Sequence, residues 1–320
     1  MSWPVRSPHR SLARGSLRLE SLSSALIEPR FKNFAAIDWS GAAGDRHHGI
    51  ALALCEAGDA APKLIRPGHR WSRSEVLDWL LHDLPPDTLV GFDMSMAFAF
   101  ADAGAYFPGW PNSPRSAREL WALAEQISAA EPHLGATKFA DHPDIAPHFR
   151  RHGGREGAAF GANGQKGGRG RFRQTEHGQA RAGCRPYSNF NLVGAAQVGK
   201  GSLAGMRLLH RLQHHYAIWP FDPLPGGGSV LVEIYTTLAA IAAGRTAARS
   251  KIRDYAALNA ALSALASQPA GGRGPITDHA ADALISAAWL RTLAHDPANW
   301  SPPLLTPAIA ATEGWTFGAA

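Results

Sequence analysis

The run NFAAIDWSG at residues 33–41 decides how the chain is read. Phe34 to Ile37 are uninterruptedly apolar, then Asp38 arrives just before the Ser40-Gly41 turn. A short continuous apolar run bounded by a turn signal predicts a strand buried on both faces. HHGIALALCE (47–56) supplies a second strand, so the pair reads as a hairpin over SGAAGDR (40–46). KLIRPGHRW (63–71) predicts a third, frayed strand. TLVGFDMSM (88–96) repeats the opening pattern, a buried strand ending in Asp93. GGGSVLVEIYT (226–236) predicts a fifth strand with Glu233 in its C-terminal part.

Helical patterns lie between and after these strands. SRSEVLDWLLHDL (72–84) is amphipathic, with Ser72 or Ser74 as cap, Val76, Leu77, Leu80, Leu81 and Leu84 on the apolar face, and Pro85-Pro86 as the stop. Further helices are predicted in SPRSARELWALAEQISAAE (113–131), SLAGMRLLHRLQHH (202–215), SKIRDYAALNAALSALAS (250–267) and ITDHAADALISAAWLR (276–291). The order is three strands, helix, strand, insertion, helix, strand, helices, which is an α/β arrangement. The insertion, about 107–201, is Gly/Arg/His-rich and predicts an irregular basic segment. Residues 1–32 are rich in Ser and Arg and read as a disordered basic leader outside the single domain at 33–320.

Composition sets outer limits. Apolar residues make up 45% of the chain, and no run approaches the ~18 apolar residues that would suggest a membrane span. The two cysteines, Cys55 and Cys184, are too few and too far apart for a disulfide framework or a disulfide-linked partner. That usage fits a reducing cytoplasm. The formal charge of +6 is compatible with a polyanionic partner, but arginine outnumbering lysine is equally the mark of a GC-rich genome.

Three buried strands thus end in or next to a carboxylate: Asp38, Asp93 and Glu233. Asp278 and Asp282 are four apart on the last predicted helix, and so share one face of it. Sites in open α/β sheets form beyond the carboxyl ends of the strands. Several acids gathered there repel one another unless cations lie between them. Hard Mg²⁺ or Mn²⁺ takes such oxygen ligands, and a two-metal site activates water for phosphodiester cleavage. Each acid has a plainer reading too. Asp278 suits a helix N-terminus, Asp38 a turn cap, Asp93 an arginine pair and Glu233 a structural ion pair.

AIDWSG, GFDMSM, VEIYTTLAA and DHAADALISAAWL resemble the family called domain of unknown function 429, regarded as predicted nucleases of the ribonuclease H-like fold. The last motif also resembles the final helix of Holliday-junction resolvases, where two close aspartates bind metal. The resemblance runs from about residue 33 to 291. It implies a five-stranded mixed sheet in the order 3-2-1-4-5, with the first three strands antiparallel, the fourth and fifth parallel to the first, and helices on both faces. It implies Asp38 and Asp93 as strand acids and Asp282 with Asp278 as last-helix acids holding Mg²⁺ or Mn²⁺. Glu233 matches the family's fifth-strand motif, which has no equally firm role in better-known ribonuclease H-like enzymes; as a site residue it would be a further ligand or water-orienting base. The implied activity is a metal-dependent nuclease acting on DNA or RNA. Two departures stand out: the long insertion, and a four-residue aspartate spacing where the resolvases have three.

Lesser signals surround these. GAAQVGKGS (194–202) resembles a phosphate-binding P-loop, but Gly201 stands where Ser or Thr is needed. A plainer turn in which Lys200 and Ser202 contact a substrate phosphate remains open, beside a simple lead-in to a helix. Arg171 and Arg173, interleaved with Phe172, suit a phosphate backbone or a solvated loop. Lys251 opens a predicted helix near the fifth strand and is within reach of the acids. His142, His148, His152, His177 and Cys184 match no common zinc spacing. Two other functions fit the pattern: a non-catalytic nucleic-acid-binding module, and an actin-like phosphotransferase, which needs a second copy of the Asp-ending opening strand.

Overall fold

The computed structural model describes residue 1 and residues 30–153, 155–161, 169–194 and 198–320. The basic leader at 1–32 lies almost wholly outside the described residues, as does the middle of the P-loop-like turn.

The chain forms a mixed sheet of β1 (Asn33–Asp38), β2 (Ala51–Glu56), β3 (Lys63–Leu64), β4 (Thr88–Asp93), β7 (Ala217–Ile218) and β8 (Val230–Glu233). The strand order is β3-β2-β1-β4-β8-β7, six strands where the sequence predicts five. The sixth, β7, is a two-residue edge strand parallel to β8, too short to leave a periodic signal. β1 runs antiparallel to β2 and parallel to β4, and β8 runs parallel to β4. Register places Asp38 directly beside Asp93, so the two strand-end acids are neighbours by backbone pairing alone.

The apolar run of β1 is buried because both faces are covered. Phe34 and Ala36 face one core and Ala35 and Ile37 the other, all at most 1% exposed. The first core takes α6 (Thr236–Ala242), α7 (Tyr255–Ala264) and α8 (Asp278–Leu293). The second takes α1 (Arg73–His82), α2 (Ala117–Ser128) and α5 (Val198–Leu212). Fully burying one such side chain is worth about 1.5–3 kcal/mol. The α8 helix is buried from Ala280 through Arg291 because it lies between β1 and β2 and the helices α6 and α7. That placement explains a helix without a polar face. Caps fall on Ser72, which forms a capping box with Glu75, and on Thr277, which accepts from Ala280 N–H.

The insertion, expected to be irregular, is ordered over its described residues. It contains α2, α3 (Thr137–Asp141), a hairpin of β5 (Arg150–Arg151) and β6 (Arg155–Glu156), and α4 (Gln174–Arg181). Phe107, Phe139, Phe149 and Phe190 pack around Phe98 just beyond β4. The remaining helices, α9 (Pro297–Trp300) and α10 (Pro307–Thr312), lead into a C-terminal segment in which Thr316 bridges to Glu233. Among the described residues no helix is long and apolar enough to cross a membrane. Cys55 and Cys184 are free and buried.

Candidate active site

Three elements bring acids to one end of the sheet. Asp38 ends β1, Asp93 ends β4, and Asp282 projects from the second turn of α8. Asp38 and Asp282 are 6% and 5% exposed. Each acid has a partner of its own. His279 Nδ1 lies 2.9 Å from Asp38 Oδ2, and Lys251 Nζ donates to Asp282 Oδ2 at 2.5 Å. Asp93 accepts from the Thr236 N–H and hydroxyl, both at 3.2 Å. Asp278, in the first turn of α8, is near enough to act electrostatically on Asp38, Asp282 and His279.

These partners do not cancel the charge. Burial raises the Asp93 carboxyl to about 7, and Asp38 and Asp282 push it the same way. Asp282 is raised to about 6, by burial first, with Lys251 pulling it back and Asp38 and Asp278 raising it further. Burial also raises Asp38, against the hydrogen bond from His279. Lys251 is held above its ordinary value because Asp282, Asp38 and Asp93 outweigh its own burial. The hydrogen bond to Asp38 leads the causes that raise His279. Buried like charges that raise one another in this way lack counter-charge.

The donor set is one that hard divalent cations prefer, namely carboxylate oxygens on rigid elements. Among the described residues, however, no three His, Cys, Asp or Glu side chains form a group ready to hold a metal. Lys251 and His279 each contact one carboxylate oxygen of the set, Asp282 Oδ2 and Asp38 Oδ2.

Asp93 and His279, with Trp39, Ser95 and Tyr235, help to line a cavity of about 400 Å³. Its wall includes the turn after β1, pressed against the first turn of α5. A Cβ on Gly41 would sit 2.2 Å from Gly201 N, so only glycine allows the contact. Trp39 Nε1 donates to Gly201 O across the same seam at 3.0 Å.

Other expected site residues are placed differently. Glu233 lines the cavity, but its carboxylate accepts two bonds from Arg173, at 2.8 and 2.6 Å. It also accepts from Met96 N–H at 2.8 Å and the Thr316 hydroxyl at 2.6 Å. The structural ion pair is therefore the observed role, and the expected ligand or base role has no free oxygen. Arg173 itself is 1% exposed, so it does not meet a substrate phosphate as the sequence suggests. Arg171, 6% exposed, is paired to Asp102 and to the carbonyls of Ala99, Ala105 and Tyr106. Both arginines hold the insertion to the core. Ser202 is buried with its hydroxyl donated to Val198 O at 3.1 Å. Lys200 opens onto a second cavity. Lys251 precedes α7 instead of opening it, and this irregular segment lets it reach Asp282.

His279 is the residue that sequence reasoning missed. It stands three positions before Asp282, and the rule that pairs Asp278 with Asp282 also places residues i and i+3 together.

Comparison with family models, with curated proteins and with solved structures finds no match to this chain.

Proposed function

We propose that the protein is a metal-dependent phosphodiesterase, a nuclease of ribonuclease H-like fold, belonging with the domain of unknown function 429 family that its motifs resemble. The observation that carries this reading is the convergence of Asp38, Asp93 and Asp282 from three separate elements at one end of the sheet, beside a cavity that Asp93 and His279 help to line. The support from the fold is the central order β3-β2-β1-β4-β8 with its mixture of strand directions.

Asp38, Asp93 and Asp282 would hold Mg²⁺ or Mn²⁺, with Asp278 adding negative charge at the near end of α8. When bound, such a cation lowers the pKa of a coordinated water and stabilises charge on phosphoryl oxygens. The protein's own groups do the rest. Thr236 fixes the orientation of Asp93, and β1–β4 pairing fixes Asp38 beside it. His279 keeps Nδ1 on Asp38 and lines the cavity, so its Nε2 is the atom from which a proton reaches the leaving oxygen. Lys251 balances Asp282 while the cation is away and, once released, is a cation within reach of a substrate phosphate.

A second reading draws on one observation. Lys251 and His279 already occupy two of the acids, as expected of a non-catalytic nucleic-acid-binding module that has internalised its counter-ions. Mn²⁺ titration followed by water-proton relaxation separates the two, using wild type and an Asp38→Asn/Asp282→Asn variant. The nuclease reading expects binding in the wild type alone, followed by cleavage in a screen of DNA and RNA substrates. No Mn²⁺ binding up to millimolar metal overturns it.

A further inference from the structure

A second cavity, of about 270 Å³, lies on the other side of the turn after β1 and shares Gly41 and Ala42 with the first. The insertion builds most of it, which gives that segment a purpose beyond packing. Its two sides differ in chemistry. Ala136, Ala140, Leu192, Leu203 and Ala204 present an apolar floor, while Lys200, Arg151, Arg155 and Arg73 bring cations to the rim and wall.

Positive charge exceeds negative there. Of the two lining carboxylates, Glu131 accepts from the N–H groups of Thr137 and Lys138, at 2.9 and 2.6 Å. Asp141 alone is shared between Arg151, at 2.8 Å, and Arg155, at 3.6 Å. Among the described residues, the buried Arg151 Nε has no hydrogen-bond partner. Arg73 is 2% exposed and donates to three carbonyls, those of Ser40, Ala42 and His133. Among the described residues no carboxylate forms an ion pair with it. Lys200 Nζ lies 2.6 Å from His152 Nε2, and since an ammonium has no acceptor, the imidazole nitrogen must be the acceptor. This contact therefore brings no carboxylate to Lys200.

We propose that this cavity is a nucleotide subsite, with a phosphate group held by Lys200, Arg151 and Arg155 and the base laid on the apolar floor. Its place in the substrate path rests on the phosphodiesterase reading of the adjoining acidic site, because the shared Gly41–Ala42 wall puts the two subsites side by side along one strand. Arginine and lysine on the rim supply charge-assisted bonds to phosphate, and the floor supplies contact area insensitive to sequence.

The test is calorimetric titration of adenosine 5′-monophosphate, adenosine and inorganic phosphate into the metal-free protein in chelator. Wild type is compared with a Lys200→Ala/Arg155→Ala variant, whose changes lie at solvent-accessible side chains. The expected result is that the nucleotide binds more tightly than either fragment, and that the variant loses about tenfold or more of its nucleotide affinity. Unchanged nucleotide affinity in the variant overturns the proposal. So does equal affinity for phosphate and nucleotide, or no nucleotide binding by folded wild type at millimolar concentrations. The Mn²⁺ titration is run without nucleotide and this one without metal, so either reading can fail alone.

Discussion

Two clusters of buried charge lie within one cavity's width of each other, and they are built on opposite principles. Around Arg173 every charge has a destination: the guanidinium donates to Glu176, to both oxygens of Glu233 and to the carbonyl of Glu313. The Glu313 carboxylate in turn accepts from the N–H groups of Phe100, Ala101 and Gln174. Around Asp38, three carboxylates face a half-exposed lysine and a half-exposed histidine. The first arrangement is closed and holds the fold; the second retains a deficit of positive charge that a ligand can fill. Burial of an acid is thus no guide to its role, and the count of its partners is.

The sharpest way to break this contrast is Arg173→Met. Glu233 and Glu176 would then be buried without their cation, and stability is expected to fall by about 3–5 kcal/mol, read from urea denaturation. Asp38→Asn/Asp282→Asn is expected to cause no such loss, because it removes repulsion. The second comparison adds metal. At neutral pH, Mn²⁺ at a hundredfold excess over its dissociation constant should stabilise the wild type by about 2.7 kcal/mol and the double Asn variant not at all, measured by thermal unfolding.

The pH dependence sharpens it further. Asp93 titrates at about 7 in the fold against an ordinary value of 3.8. Between these values the folded protein binds more protons than the unfolded one. Without metal, stability from this group is therefore greatest at the acid end and falls as pH rises toward about 7. Asp93→Asn should make the urea midpoint fall less steeply across that window, the remaining slope coming from Asp282, raised to about 6. The smallest effect is expected at Lys251, whose side chain is 52% exposed. Lys251→Met should cost well under about 1 kcal/mol in stability, since the pair is half solvated. It should also tighten Mn²⁺ binding by up to about fivefold by removing a competing cation.

The strand acids Asp38 and Asp93 are legible because buried strands write continuous apolar runs, and an acid at the end of one is conspicuous. The α8 aspartates are legible because helical spacing fixes their shared face. Glu233 looks identical by these criteria, and only its partner distinguishes it. That partner is 60 residues earlier, in a segment without periodicity. Arg171 and Arg173 mislead for the same reason: a basic tract reads as solvated unless the acids that meet it are known, and Asp102 and Glu233 come from distant positions. The β7 strand is too short to register. Lys251 acquires its meaning from an irregular approach to α7 that no pattern announces.

The closed cluster also imposes an order on biosynthesis. Arg173 emerges from the ribosome 60 residues before Glu233 and 140 before Glu313. A nascent chain therefore carries this guanidinium with only Glu176 beside it until β8, the last strand of the main sheet, has been made. The insertion can collapse early around its phenylalanines and through Arg171, whose partners Ala99, Asp102, Ala105 and Tyr106 precede it, but the Arg173 lock waits until synthesis has passed β8. Contacts closed over so long a sequence separation form slowly. The sheet is completed first, and the seal on its acidic end comes last.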